Sequence, residues 1–558
     1  MGTTIEAIYD DIGGFSVAQC IIISFIFYNF LGASWSMIQM AFAVKVPDWT
    51  CVANEFGDLQ QLGTEFYSNV TQVYSNGSEF SEKCSVNGSV CINYEFSGAK
   101  TTIVNEWNLV CDYEWIPSVV ISVQMGGVLV GAALSGQTSE RWGRRKSIAV
   151  VTVWHICSNV LAVFSNSYQM FMACRFLIGI GIGGTYTISF PYAMEFLPLK
   201  SRGRVAILPF WTLGVAIFVC VAYFIPHWRY LHLGCAIFCL PGVTLWFFVP
   251  ESVRWLTVNG RLDEAMAALA RMACWNGKPL PPDARSTLEA IYSSRKTCSN
   301  AAKQYSFIDL FRGRYFLKCT LIMCFMWITL SLISYGISFG VHGLAGNLYL
   351  NIVLTNCVEI PGLLPVLWLM DRAGFGRKCA TVVTFSIICI TTVVVLIINI
   401  QDHGDNDRAV FWFAMITKLC IDNVWNVIQA WVSELYPTVT RALGYSIATT
   451  SARVGGMLAP FLVDLKKRVV LTYLIISSLS LGVVLLCMLL PETRLCVLKD
   501  SIGFSSAAAN CEEGVVETII VGTNDEDDDE DDAHERNGWR KQNGAEKSEE
   551  KTVLDPAV

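Results

Sequence analysis

The sequence predicts an all-α membrane protein: twelve transmembrane helices in two six-helix halves, an extracellular loop cap and intracellular helices. Three observations predict it. Apolar residues make up 53% of the 558-residue chain and charged residues only 16%, below the quarter usual in soluble domains. The apolar residues gather in long runs of the kind a helix needs to cross a bilayer, about 20 residues each. Three short polar motifs recur in the same order in the first and second halves of the chain.

Taken in order, the runs place spans near residues 17–44, 116–137, 148–165, 169–194, 204–226, 229–249, 315–341, 347–370, 379–400, 409–432, 443–465 and 469–490. The first run has no basic flank and is too long for a cleaved signal core, so it reads as a retained span. This gives an N-terminal half over 1–249 that includes loop 45–115. A linker follows over 250–314, then a C-terminal half over 315–495 and a tail over 496–558.

Basic residues set the expected orientation. Arg141, Arg144, Arg145 and Lys146 follow span two, Lys200 and Arg202 follow span four, and Arg372, Arg377 and Lys378 follow span eight. The positive-inside bias puts these loops, both termini and the linker in the cytoplasm. One loop, with Lys466, Lys467 and Arg468, disagrees and falls on the opposite side, which is otherwise poor in Lys and Arg.

Loop 45–115 is then extracellular. It carries three glycosylation sequons, at Asn69, Asn76 and Asn87, and four cysteines, Cys51, Cys84, Cys91 and Cys111. Together these predict an oxidised, glycosylated cap in a plasma-membrane protein. Four cysteines allow three pairings, and spacing does not choose among them. The other cysteines mostly sit in apolar runs, where Cys is a small hydrophobe.

Net charge is −7, but nine acids lie between Asp525 and Glu535, and without them the chain is close to neutral. That run reads as a solvated, disordered tail, and no basic patch suggests nucleic acid. The closing residues 555–558, Asp-Pro-Ala-Val, are a weak candidate for capture by a scaffold protein. In the linker, Leu262, Ala265, Met266, Leu269 and Met272 share one face of an amphipathic helix expected to pack beneath the bundle.

The repeated motifs are "ERWGRR" (140–145) with "DRAGFGRK" (371–378), "EFLPLKSR" (195–202) with "ELYPTVTR" (434–441), and "PESVRWL" (250–256) with "PETR" (491–494). Two parallel six-span halves follow, with the binding site expected between them near the midplane. Glycine permits a tight turn, and the acids and arginines can pair with one another and with helix ends. Glu140, Arg141, Gly143, Arg144, Arg145, Glu195, Arg202, Glu251 and Arg254, with Asp371, Arg372, Arg377, Glu434 and Arg441, are therefore the candidate gating set. The plainer alternative is that these are topogenic basic loops.

These loops resemble the signature loops of the major facilitator superfamily. "PESVRWL" and the cap's closing "EWNLVCD" (106–112) narrow the resemblance to solute carrier family 22, the organic cation, organic anion and carnitine transporters. It covers residues 1 to about 500 of the chain. It implies a major facilitator fold, a small organic ion as substrate, the bilayer as surroundings and a candidate coupling ion. The chain departs from the family where Glu140 stands for Asp, where the second-half loop has two extra residues, and where the cap has four cysteines rather than six.

Nothing in the sequence suggests an enzyme. "GIGIGG" (179–184) matches a dinucleotide fingerprint but lies inside an apolar span, where small residues let helices approach. The chain has no nucleotide phosphate loop, no metal-ligand spacing among its six histidines and no nucleophile–base set, so no cofactor or metal is expected.

Charges inside spans are costly and mark pathways or paired structural sites. Arg175 reads as a structural anchor. Lys418 and Asp422, four apart on one helix face, either neutralise each other or meet substrate. Glu359, two residues before the kink expected at Pro361, is a structural or gating candidate. Arg453 has no partner on its own helix. The family pattern puts it where cation-selective members carry Asp and where anion and carnitine members carry Arg. Leu363 stands where anion members tend to carry Lys, which makes the site less positive. A zwitterion such as a betaine fits this charge balance, with its carboxylate on Arg453 and its ammonium over aromatic rings. The aromatic candidates are Tyr186, Phe190, Trp327, Tyr335, Phe339 and Trp425, although rings in spans commonly just pack. A polyspecific cation transporter and a non-transporting receptor-like or scaffold protein are the alternatives.

Overall fold

Long apolar runs leave the backbone no partner but itself, so they fold as helices. The computed structural model describes residues 5–52, 84–86, 89–90, 93–98, 101–198, 201–202, 205, 209–301, 309–340, 347–362, 375–401, 407–436, 441–464 and 469–493. The first half contains α1 (Ile5–Asp11), α2 (Val17–Ile38) continued by α3 (Met40–Ala43), α4 (Ile103–Glu106), α5 (Ile116–Trp142), α6 (Arg144–Val163), α7 (Tyr168–Glu195), α8 (Phe210–Phe224), α9 (Trp228–Val243) and α10 (Leu245–Phe248). The linker forms α11 (Val253–Val258), α12 (Leu262–Trp275), α13 (Ala284–Ala301) and α14 (Asp309–Arg312). The second half contains α15 (Arg314–Gly340), α16 (Leu348–Cys357), α17 (Gly376–Gln401), α18 (Asp407–Leu435), α19 (Arg441–Asp464) and α20 (Val469–Cys487).

Among the described residues, seven helical runs are long and apolar enough to cross a membrane by themselves. The remaining expected spans are also helical. Of these, α8, α9 and α16 are shorter in the described residues, α18 contains Lys418 and Asp422, and α19 contains Arg453.

The glycines of "GIGIGG" let two helices touch. A Cβ at Gly179 would collide with the Gln124 carbonyl of α5, and one at Gly183 with the Val128 carbonyl. Gly455 of α19 meets the Ile328 carbonyl of α15 in the same way in the second half. The 179–184 run is thus a packing surface between helices.

Arg175 on α7 is fully buried. It donates to the Ser36 carbonyl at 3.0 Å, to Gln39 Oε1 at 3.4 Å and to Gln124 Oε1. Three oxygens from α2, the α2–α3 junction and α5 thus receive one guanidinium, as an anchor requires. His155 Nε2 extends the network to Ser36 Oγ at 2.8 Å.

In the linker, Ala265, Leu269 and Met272 of α12 are buried, with Leu262 and Met266 packed beside them, in one core with Ile5, Ile8 and Tyr9 of α1. The expected apolar face of α12 is therefore covered by the bundle and by α1.

The cap contains two small antiparallel pairs, β1 (Trp49–Val52) with β4 (Asn93–Phe96) and β2 (Ser85–Val86) with β3 (Ser89–Val90). Cys84 is disulfide-bonded to Cys111, which selects one of the pairings left open by the sequence. Cys91, Asn69, Asn76 and Asn87 lie outside the described residues, as does the side chain of Cys51. "EWNLVCD" acts as a clamp: Glu106 accepts from Trp228 Nε1 at 2.6 Å and pairs with Arg229. Arg229 also donates to the Val163 carbonyl at 3.0 Å and the Ser165 carbonyl at 2.7 Å. The cap is therefore fastened to the tips of α6 and α9.

Candidate functional site

Two groups of sequence-selected residues come together, one at the ends of the helices away from the cap and one in the middle of the spans.

At the first, the α5–α6 turn is made by Gly143 at φ +94°, where a Cβ would run into Glu251. The Glu251 carboxylate accepts the backbone N–H groups of Arg144 at 2.8 Å and Arg145 at 3.1 Å. A negative charge thus caps the N-terminus of α6, where orphan N–H groups and the helix dipole favour it. The Arg144 guanidinium reaches Glu140 at 2.8 Å, Glu195 at 3.3 Å and the Ser139 carbonyl at 2.7 Å. Trp255 Nε1 donates to the Glu140 carbonyl at 2.8 Å. The ends of α5, α6 and α7 and the start of the linker are tied through one arginine and one glutamate.

The second half repeats the arrangement. Gly376, at φ +65°, lies against Glu492. Glu492 accepts the backbone N–H groups of Arg377 and Lys378, each at 2.9 Å. The Arg377 guanidinium pairs with Glu434 at 3.0 Å, and Thr493 Oγ1 donates to Glu434 at 2.7 Å. Glu492 was not singled out from the sequence, although its signal is present: "PETR" repeats the Pro-Glu of "PESVRWL".

Arg202 and Arg254 converge elsewhere, on Glu6 of α1, with Arg202 at 3.4 Å and Arg254 in direct contact. Burial alone would raise the Glu6 carboxyl, but the Arg254 hydrogen bond and the charges of Arg254 and Arg202 hold it below the usual Glu range. Arg141 is exposed. Asp371, Arg372 and the Arg441 side chain lie outside the described residues. The Arg144, Arg202, Arg254 and Arg377 ion pairs given above each join residues of one half or of the linker.

Mid-span, Lys418 Nζ meets Asp422 Oδ1 at 3.0 Å and donates to Ser338 Oγ at 3.1 Å. The pair neutralises itself on one helix face, the plainer of the two sequence readings. Arg453 on α19 is half-buried, and among the described residues its hydrogen bond goes to the Tyr335 hydroxyl at 3.4 Å. Neither Asp422 nor Glu359 pairs with it. Tyr186, Tyr335 and Tyr445 are its electrostatic neighbours or partners, and the Tyr186 hydroxyl has no hydrogen-bond partner among the described residues. Tyr445 escaped the sequence reading, although it lies eight residues before Arg453 and so near the same helix face.

The other rings divide. Phe339 is buried and stacks on Tyr335 at 5.9 Å. Trp327 is buried and packs edge-on against Trp425 at 5.5 Å, so it is a core residue. Trp425 is half-buried, and Phe190 is exposed, 41%. Tyr186 packs against Phe30 at 4.7 Å and Trp211 at 6.1 Å.

Glu359 lies in the helical turn after α16 and accepts from Thr212 Oγ1 of α8 at 2.9 Å. Beside it, Trp211 Nε1 donates to Asn356 Oδ1 at 3.1 Å. Both bonds cross from one half to the other. Nearer the cap, Ser122 Oγ of α5 donates to the Met457 carbonyl of α19 at 2.8 Å, and Phe42 and Tyr223 pack on Tyr349 at 5.3 and 5.4 Å. The halves thus meet at mid-span and on the cap side.

Comparison with known proteins agrees with this architecture. The family model for "Sugar (and other) transporter" matches residues 68–500. A mouse "Solute carrier family 22 member 7" is 30% identical over 77% of this chain and 79% of its own length. A Drosophila melanogaster "Organic cation transporter protein" is 30% identical over 81% and 85%. The human "Organic cation/carnitine transporter 2" is 30% identical over 72% and 71%. Among solved structures, the inward-open xylose transporter of E. coli matches with a TM-score of 0.58 at 16% identity, covering 86% of this chain and 98% of its own. That likeness concerns the fold. The matched families are membrane transporters, not enzymes. The chain is a multi-pass membrane protein that belongs to the sugar (and other) transporter family of the major facilitator fold and, within it, to solute carrier family 22.

Proposed function

We propose that the chain is a plasma-membrane secondary transporter that moves small organic zwitterions, such as carnitine-like betaines, or organic anions by alternating access. Arg453 carries this reading. It is a permanent cation in mid-span, half-buried, bonded to a phenol and unmatched by any carboxylate among the described residues. A substrate carboxylate would supply the missing charge through a bidentate pair. Tyr335 bonds to Arg453, and Tyr186 and Tyr445 lie within its electrostatic reach, rings of a kind that can hold an ammonium group. The relative named for carnitine is consistent with this. We place the cap outside and both termini in the cytoplasm, from the distribution of basic loops. The candidate coupling ion draws on a structural neighbour titled a D-xylose-proton symporter.

A second reading is organic cation transport. Glu359 favours it, since this carboxylate has a hydroxyl rather than a cation as its hydrogen-bond partner. The twin arginine–glutamate clusters weigh against a non-transporting scaffold, because a static protein has no need of two matched sets at one end. Uptake by expressing cells of three labelled probes, a betaine, a dicarboxylate and a quaternary amine, tests the assignment. Uptake of the betaine or dicarboxylate above that of the amine supports it, and uptake of the amine alone overturns it.

A further inference from the structure

We propose that Glu359 is a proton-binding site at the seam between the halves: ionised, it latches the α16 turn to α8 through Thr212, and protonated, it releases them. The proposal takes from the preceding section only that the halves are moving parts.

The bond itself is the first ground. Thr212 Oγ1 has a choice of two acceptors, Glu359 Oε2 at 2.9 Å and the Asn356 carbonyl at 3.4 Å. The nearer is the carboxylate. A hydrogen bond to an ionised acceptor is roughly twice as strong as one to a neutral acceptor. Protonating Glu359 therefore weakens this contact and leaves Thr212 the longer one. The neighbouring Trp211–Asn356 bond stays in place, so the seam loosens at this one contact.

The surroundings are the second ground. Among the described residues, the charged groups near Glu359 are Asp422 and Lys418 of α18. Lys418 is committed to Asp422 at 3.0 Å and to Ser338 at 3.1 Å, so it is not free to neutralise a second carboxylate. From α8 the facing groups are Trp211 and Thr212, and from α16 Asn356, none of them titratable in the ordinary range. Asn423 of α18 abuts Gly362 in the same turn as Glu359. Its Oδ1 is buried without a donor among the described residues. A neutral carboxyl would bring an O–H donor into a region that holds an unfilled acceptor, whereas the ionised form has only acceptors to offer.

The position is the third ground. A proton bound elsewhere in one half would have to act at a distance, but this one sits on a bond between the halves. Proton binding and seam closure then oppose each other directly, and by linkage each shifts the other equally.

Hydrogen exchange of the purified full-length chain in detergent, read over 209–224 and 347–362 and corrected for intrinsic rates, tests this without a substrate. Between about pH 8 and about pH 5, across the range in which carboxylates become protonated, exchange in both segments should rise about fivefold, the ratio expected for losing charge assistance on one bond. Glu359→Gln should sit at the fast level at both pH values. Thr212→Val, which removes the donor and spares the carboxylate, should do the same. A wild-type chain with no pH dependence overturns the proposal. So does a Glu359→Gln or Thr212→Val chain that keeps the wild-type dependence, since the buried histidines or Asp422 would then be responsible. A chain that shows the predicted exchange but moves none of the three probes loses the transport assignment and keeps the latch.

Discussion

The Arg144 backbone N–H lies 2.8 Å from Glu251 Oε1, and the Arg377 backbone N–H lies 2.9 Å from Glu492 Oε1. One glutamate per half caps the helix that follows a positive-φ glycine. In each half the arginine at that helix start also reaches a second glutamate, Glu195 or Glu434.

This geometry predicts an effect on rate rather than on binding. Arg144→Ala or Arg377→Ala should lower the maximal uptake rate on the order of tenfold, as the loss of a charge-assisted bond allows. Apparent affinity should change by no more than about twofold. Initial-rate kinetics corrected for surface expression check this. A collapse of affinity at intact maximal rate would mean that these residues touch substrate.

Arg453 should decide substrate charge. Arg453→Asp should lose betaine or carboxylate uptake and gain uptake of a quaternary amine. Arg453→Lys should keep partial uptake, about tenfold reduced, because a point charge does not reproduce the guanidinium fork. Surface biotinylation separates this from misfolding. If Arg453→Asp reaches the surface and carries its normal substrate at the normal rate, Arg453 lies outside the site.

The cap should be extracellular and glycosylated. Treatment of protein from intact cells with a glycosidase should increase its gel mobility, and replacing Asn69, Asn76 and Asn87 together by Gln should remove the shift. An unshifted wild-type band, with the loop open to cytosolic labelling, would reverse the assigned topology.

Docking of α1 should depend on pH through Glu6. Its carboxyl is held below the usual Glu range by Arg254 and Arg202 despite burial. Its contribution is then fully present above the unfolded value, about 4.3, and is lost as pH falls through the lower folded value. Hydrogen exchange over residues 5–11 should accelerate in that acid window, and Glu6→Gln should be fast at neutral pH as well. Equal exchange in the two proteins at neutral pH would remove Glu6 from the docking contact.

Much of this architecture was legible in the sequence because hydropathy runs and repeated motifs are local signals. Gly143, Arg144 and Glu251 stand in recurring words, and Lys418 and Asp422 stand one helical turn apart, so their association could be anticipated. Periodicity identifies the face a residue occupies but not the helix opposite that face. Thr212 and Glu359 are 147 residues apart in two different halves, and nothing local connects them. Tyr445 and Trp211 were missed for the same reason. The bond between Cys84 and Cys111 depends on how the cap folds back on itself, which spacing alone does not encode.

The Glu106 clamp has a mechanical consequence. The cap is riveted through Glu106, Trp228 and Arg229 to the tips of two first-half helices, so it behaves as a lever arm on that half. In the proposed alternating-access cycle, a small rotation of the halves at mid-span becomes a larger sweep at the end of the lever. A rigid binder such as an antibody fragment seated on the cap would therefore act as a handle, reporting the stroke of the machine or, if wedged against the second half, stalling it.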